Sequence, residues 1–203
     1  MINPYFKTPS VVKNLIIANC VIYLAMSLIP SINSFFAQYL QLFWVGSPYF
    51  HSYQFVTYMF LHGGFAHLFS NMFALWMFGR TLEYELGSQR FLTYYLVCGV
   101  GAALIQIGVA SLLGEDLTLL GASGAVFGIL LAFGVMHPNN MIYVFPLPFP
   151  IKAKWFVVGY AVLEIALGWS GVNTGVAHFA HVGGMLWGLA LLLWWRKQRK
   201  IFF

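Results

Sequence analysis

Residues 121–137 read Gly-Ala-Ser-Gly-Ala-Val-Phe-Gly-Ile-Leu-Leu-Ala-Phe-Gly-Val-Met-His, an apolar run whose one hydroxyl, Ser123, stands between glycines at its head. Apolar residues that continue this far without alternation predict a helix buried on all sides, where a hydroxyl has little structural reason to be. A second apolar segment answers it with another polar group: His181, within Ala180-His181-Val182-Gly183-Gly184, followed by Gly188. A serine and a histidine on separate helices are the elements of a nucleophile and its base.

The rest of the composition says what surrounds those helices. Apolar residues make up 61% of the chain, charged residues only 7%, and the mean hydropathy is +0.80. A soluble domain carries about 25% charged side chains, so lipid is the expected solvent. In hydrocarbon the backbone must satisfy its own hydrogen bonds, and continuous apolar runs of about 20 residues do so as helices. Six spans are expected, at 14–31, 58–79, 90–113, 121–137, 152–170 and 177–195, forming one all-α membrane domain over residues 1–203. No repeat or low-complexity tract interrupts them. Lys7 and Lys13 precede the first run as in a signal peptide, but no small-x-small cleavage site lies near Pro30 and Ser31, so a retained first helix is expected.

Drawing six spans puts every lysine and arginine on one side: Lys7 and Lys13, Arg80 and Arg90, Lys152 and Lys154, and the final Arg196-Lys197-Gln198-Arg199-Lys200. The opposite loops, 32–57, 114–120 and 171–176, contain none and include Glu115 and Asp116. The positive-inside rule then places both termini in the cytoplasm, at the plasma (inner) membrane in a bacterium. The net charge of +5 is thereby a topology signal, and no nucleic-acid partner is expected. Cys20 and Cys98 fall within spans and read as packing residues. The long loop 32–57, aromatic and free of lysine, arginine and carboxylates, is expected at the membrane interface.

With this topology Ser123 and His181 both belong to the outer half of the bilayer. His67 and Asn71, four residues apart, share one face of the second span, with His62 above them nearer the surface. A lone membrane histidine commonly bridges helices, and a serine among glycines commonly marks close packing. The set of Ser123, His181, His67 and Asn71 favours a site instead. Gly121, Gly124, Gly184 and Gly188 would let the fourth and sixth helices approach to the short distance that a Ser–His hydrogen bond requires.

These residues resemble the rhomboid intramembrane serine proteases. Gly121-Ala122-Ser123-Gly124 is similar to the family's G-x-S-G nucleophile motif, and His181 with Gly184 and Gly188 to its histidine followed by a glycine pair. His62, His67 and Asn71 match its H-x-x-x-x-H-x-x-x-N pattern, while Glu83 and Gly87 resemble a cap at the cytoplasmic side. The resemblance covers roughly residues 50–195 and implies a six-helix rhomboid-like bundle. There are two departures. Tyr53-Gln54-Phe55-Val56-Thr57 stands where the family often has Trp-Arg, which puts the anchoring of that loop in doubt, and Phe127 stands where some members have tyrosine. A ring at 127 can still stack on His181.

The resemblance implies that Ser123 attacks the scissile carbonyl, that His181 carries the proton to the leaving amine, and that His67, Asn71 and the Ser123 N–H stabilise the oxyanion. Single-span membrane proteins are the implied substrates, cleaved near the outer face. Only five acidic residues occur and none is close to these motifs in sequence, so a dyad without an orienting carboxylate is expected, with Phe127 holding the ring. The segment 169–175 is expected to cap the pocket or simply to connect helices. His178 reads as an interfacial or water-relay histidine, Glu164 as a paired or protonated group outside the chemistry, and Arg80, Glu83, Glu85 and Arg90 as a solvated network. No H-E-x-x-H metalloprotease arrangement is present, and no metal or cofactor is expected. Haem ligation by the paired histidines and a non-catalytic rhomboid-like chaperone or binding protein are the competing readings.

Overall fold

The computed structural model describes residues 8–144, 148–170, 175–198 and 201. The chain is mostly helical, in the order α1 (Ser10–Leu28), α2 (Pro30–Tyr39), β1 (Leu42–Phe43), α3 (Gln54–Thr57), α4 (Phe65–Ala74), α5 (Arg80–Leu86), α6 (Ser88–Leu113), β2 (Thr118–Leu119), α7 (Ser123–Met136), β3 (Met141–Ile142), β4 (Ile151–Lys152), α8 (Ala153–Trp169) and α9 (His178–Lys197). A wide π-type turn, Leu75–Gly79, joins α4 to α5 without a break. By length and composition α1 and α6 are long and apolar enough to cross a membrane, and α7 is a shorter apolar helix. The strands, unexpected from the sequence, are two-residue antiparallel bridges that tie loops together outside the helices: Leu42 pairs with Leu119 and Met141 with Lys152.

The expected second span starts late. Residues 58–64 form a short 3-10 turn and an irregular stretch, and regular helix begins only at Phe65. Gly63 and Gly64 break the run there, since glycine disfavours helix interiors. His62 consequently lies outside the helix and is buried at 2% exposure.

Helices α6, α7 and α9 form the centre, with α8 against α7 and α9 and with α1 beside α2 and α4. Small residues allow it. A Cβ on Gly184 of α9 would land on the Gly124 carbonyl of α7, so the two backbones touch there. The expectation for the other glycines is corrected by rotation along the helix: Gly188, one turn on, faces Tyr94 and Cys98 of α6, and Gly121 faces the His67 ring. Buried tyrosines span the trio, Tyr58 donating to the Gly99 carbonyl at 2.7 Å and Tyr94 to the Gly128 carbonyl at 2.8 Å. Outward surfaces are apolar: Phe65, Phe69, Phe73 and Trp76 form an exposed ladder on α4 and its extension, and Trp155, Val158 and Val162 another on α8. Exposed ladders of this kind suit lipid, not water.

Two polar side chains secure the ends of this assembly. Glu83, expected in a solvated network, is 2% exposed and accepts from the N–H groups of Val11 (2.9 Å) and Val12 (2.7 Å) and from Ser88 Oγ (2.6 Å). It therefore supplies α1 with the cap that Pro9 does not. Gln54 restores the anchoring of the first loop that the missing Trp-Arg put in doubt. Its amide donates to the Tyr39 (3.1 Å) and Tyr49 (2.9 Å) carbonyls and accepts from the His51 N–H (3.1 Å) and the Phe43 N–H (3.4 Å). Thr57 Oγ1 donates to the Leu40 carbonyl at 2.7 Å, closing the same loop from its far end.

Candidate active site

Ser123 is the first residue of α7, and the turn before it is set by Gly121 at φ +118°, a conformation that side chains with a Cβ rarely adopt. The Gly121 N–H donates to the Tyr58 carbonyl at 2.9 Å, which pins the turn to the chain preceding α4. As the first residue of a helix, Ser123 has a backbone N–H with no intrahelical acceptor, as do the two residues after it. The residue is half-buried.

His181 enters from α9, in the first turn of that helix and 7% exposed. Phe127, one turn along α7 from Ser123, stacks on it face to face, with ring centroids 4.1 Å apart and planes 8° from parallel. Stacking at 127 was expected, and Tyr160 of α8 supports Phe127 edge-on at 5.7 Å. Gln106 of α6, which the sequence did not single out, accepts from the Ala180 N–H at 2.9 Å and so fixes the start of α9. An amide within a strongly apolar helix was the signal available for it. Among the described residues no hydrogen bond links Ser123 to His181; their helices meet at the Gly124–Gly184 contact just beside them.

His67 and Asn71 both lie on α4. The His67 ring packs over Gly121 on one side and meets the His62 ring edge-on at 5.0 Å on the other, and it lies within electrostatic range of His181. Asn71 is buried, and among the described residues its Nδ2 finds no acceptor. A buried amide donor left unmatched is costly and is commonly a group held ready for something else.

One expectation is overturned. A carboxylate does reach the histidines: Glu164 of α8 is buried, with Oε2 2.7 Å from His178 Nδ1 and 2.9 Å from His181 Nδ1. The His178 contact is a hydrogen bond, while His181 sits close but off the straight N–H···O line. Sequence distance concealed this, because 14 residues separate Glu164 from His178 and only the packing of α8 on α9 closes the gap. The capping segment expected at 169–175 falls largely outside the described residues. Its described part ends α8 at an exposed Trp169 and resumes at Gly175 with φ +68°. At the opposite end of the bundle, Glu85 pairs with His137 at 3.0 Å.

The sequence profile of the Rhomboid domain matches residues 49–198. The chain belongs to the rhomboid family. Among its relatives, rhomboid protein 1, mitochondrial, of Saccharomyces cerevisiae is 33% identical over 152 residues, covering 70% of this chain and 42% of the yeast protein. Rhomboid-like protein 11, chloroplastic, of Arabidopsis thaliana is 34% identical over 161 residues, 69% of this chain and 51% of its own length. The presenilin-associated rhomboid-like protein, mitochondrial, of Bos taurus is 30% identical over 134 residues, 64% and 34% respectively. This rhomboid chain thus spans about half or less of the length of the relatives it matches. The family is membrane-embedded, in keeping with the apolar outer ladders.

Proposed function

We propose that this rhomboid is an intramembrane serine endopeptidase with Ser123 as nucleophile and His181 as general base and acid, acting on single-span membrane proteins near the outer face. One observation carries the reading: a half-buried hydroxyl at the open N-terminus of α7 stands beside the backbone contact that brings in α9 and its stacked imidazole. The Ser123 Oγ adds to the scissile carbonyl and its proton passes to His181, which returns it to the departing amine. Negative charge developing on the carbonyl oxygen is met by the Ser123 N–H, by the unmatched Asn71 Nδ2 and by His67.

The reading includes six spans: α1, the continuous α4–α5, α6, α7, α8 and α9, with both termini cytoplasmic, and residues 1–203 acting as one domain. Helix α7 has 14 residues, so it rises about 21 Å, well short of a hydrocarbon core of about 30 Å. That length supports the reading of a head, Ser123 with it, below the lipid surface on the outer side, where a substrate helix would unwind to present a peptide bond. A membrane chaperone without catalysis is the second reading, favoured by the missing Ser123–His181 hydrogen bond, although such bonds are often long in resting enzymes. Incubation with a fluorophosphonate and with a single-span substrate in liposomes, wild type against Ser123→Ala, separates the two. The protease reading expects labelling and cleavage in the wild type alone; equal behaviour of both proteins removes the nucleophile.

A further inference from the structure

Glu164 is a carboxylate within an otherwise apolar helix, a position that is costly unless N–H donors meet its oxygens. Its Oε2 is hydrogen-bonded to His178 Nδ1 at 2.7 Å and lies 2.9 Å from His181 Nδ1, an ion-pair contact off the straight N–H···O line, with both imidazoles coming from α9. All three side chains are buried, and the two rings approach almost at right angles, 86° between planes. Two Glu164 roles compete here. Histidine and glutamate are also zinc ligands, and these three donor atoms lie within 4.8 Å of one another. Ligands about 2.0–2.1 Å from a tetrahedral zinc, however, stand about 3.3 Å apart. Separations of 2.7 and 2.9 Å are those of charge-assisted hydrogen bonds.

We propose that Glu164 is a positioning residue for the base: it holds His181 through Nδ1, leaving Nε2 to face Ser123, and stabilises the imidazolium that forms during attack, while His178 shares the carboxylate and limits how much of it His181 commands. The proposal rests on the serine-protease reading above. As the Oγ–C bond forms, the Ser123 proton moves to His181 Nε2. The Nδ1 proton stays on the ring against the carboxylate, which remains ionised, and the Nε2 proton then leaves with the amine as the C–N bond breaks. The groups observed around His181 are Glu164 from α8, His178 on its own helix, His67 from α4 and Phe127 from α7. From α6 comes the neutral Gln106, already engaged by the Ala180 N–H. Glu164 is thus the only carboxylate within reach among the described residues.

Glu164→Gln keeps the shape and an acceptor oxygen but removes the charge. Cleavage of a single-span substrate in liposomes, followed from about pH 5 to 9, should show kcat/KM reduced on the order of 10- to 100-fold. That loss is smaller than the roughly 10⁴-fold supplied by a fully aligned triad carboxylate. Most of it should fall in kcat with KM little changed, since the carboxylate acts on the base and touches no substrate, and Glu164→Asp should restore part of the rate. A variant with wild-type kcat would reduce Glu164 to a bridge between α8 and α9 and overturn the proposal. If that variant fails to fold, His178→Phe serves instead: it leaves the carboxylate to His181 alone, so kcat should hold or rise, and a kcat lowered by more than about threefold in a folded variant overturns the proposal. Activity raised by EDTA and lost again on adding Zn²⁺, with both effects gone in His178→Phe, would assign the three side chains to a metal and overturn it too. Cleavage surviving in Ser123→Ala removes the underlying reading, whereas an inert Ser123→Ala beside an unaffected Glu164→Gln removes only the role of the carboxylate.

Discussion

Replacing Asn71 should move activity and stability in opposite directions. The side chain is 5% exposed and its Nδ2 has no protein acceptor, so Asn71→Leu breaks no bond of that amide nitrogen in the resting protein. An unmatched buried donor costs about 1–3 kcal/mol, and leucine, which has the same branching, removes that cost while its larger methyl groups take back part of the gain. In the proposed mechanism the same amide meets the oxyanion of the transition state, and loss of one such donor costs about 2.7–4 kcal/mol, or about 10²- to 10³-fold in kcat. The expected outcome is therefore a kcat two to three orders of magnitude down with an unfolding midpoint that is unchanged or higher. Turnover of a single-span substrate in liposomes and thermal unfolding in detergent micelles measure the two quantities on one preparation. Asn71→Ala should lose the same activity, with the small cavity it leaves offsetting part of the stability gain. A kcat within about threefold of wild type refutes the oxyanion assignment. A midpoint lowered by more than about 5 °C, with activity lost in step, makes Asn71 a structural amide.

Phe127→Ala removes the ring stacked on His181 and should lower kcat by about 2- to 10-fold, the worth of one aromatic pair, while Phe127→Tyr keeps the stack and the rate. Gly184→Ala drives a methyl into the Gly124 carbonyl and should destabilise by about 1–3 kcal/mol or more, whereas Gly159→Ala, which meets nothing within 4 Å, should be neutral or stabilising; equal midpoints would deny the α7–α9 contact. Glu83→Ala uncaps α1 and should cost about 0.5–2 kcal/mol, read as faster amide exchange at Val11 and Val12, with activity at saturating substrate retained.

Much of the fold was legible because a membrane helix announces itself locally. Each apolar run satisfies its own backbone, so the main helices fall where the runs are; the 58–64 stretch, where paired glycines outweigh an apolar neighbourhood, and the helix α2 inside the expected loop 32–57 were misread. Ser123, His181, His67 and Asn71 were legible for a related reason: polar atoms are rare in such runs, and spacing of four along α4 puts two of them on one face. The partners of those residues were not legible. Helices α6, α7 and α8 are apolar nearly all round, so no amphipathic stripe in the sequence states which side turns inward. Gln54 and Glu83 were likewise concealed, because their value lies in backbone N–H and C=O groups far along the chain. The Glu83 carboxylate reaches Val12, 71 residues away.

Sequence by itself determined that this chain is helical, lipid-facing and equipped with a hydroxyl and an imidazole on separate apolar segments, since composition and local hydrogen bonding require no knowledge of neighbours. Only tertiary structure decided that Phe127 lies flat on His181 and that Glu164 stands 2.9 Å from its Nδ1. Those contacts depend on how far each helix is rotated about its axis against the next. That angle is set by the jigsaw of small residues at the α7–α9 and α8–α9 contacts, and hydropathy along a single helix does not record it.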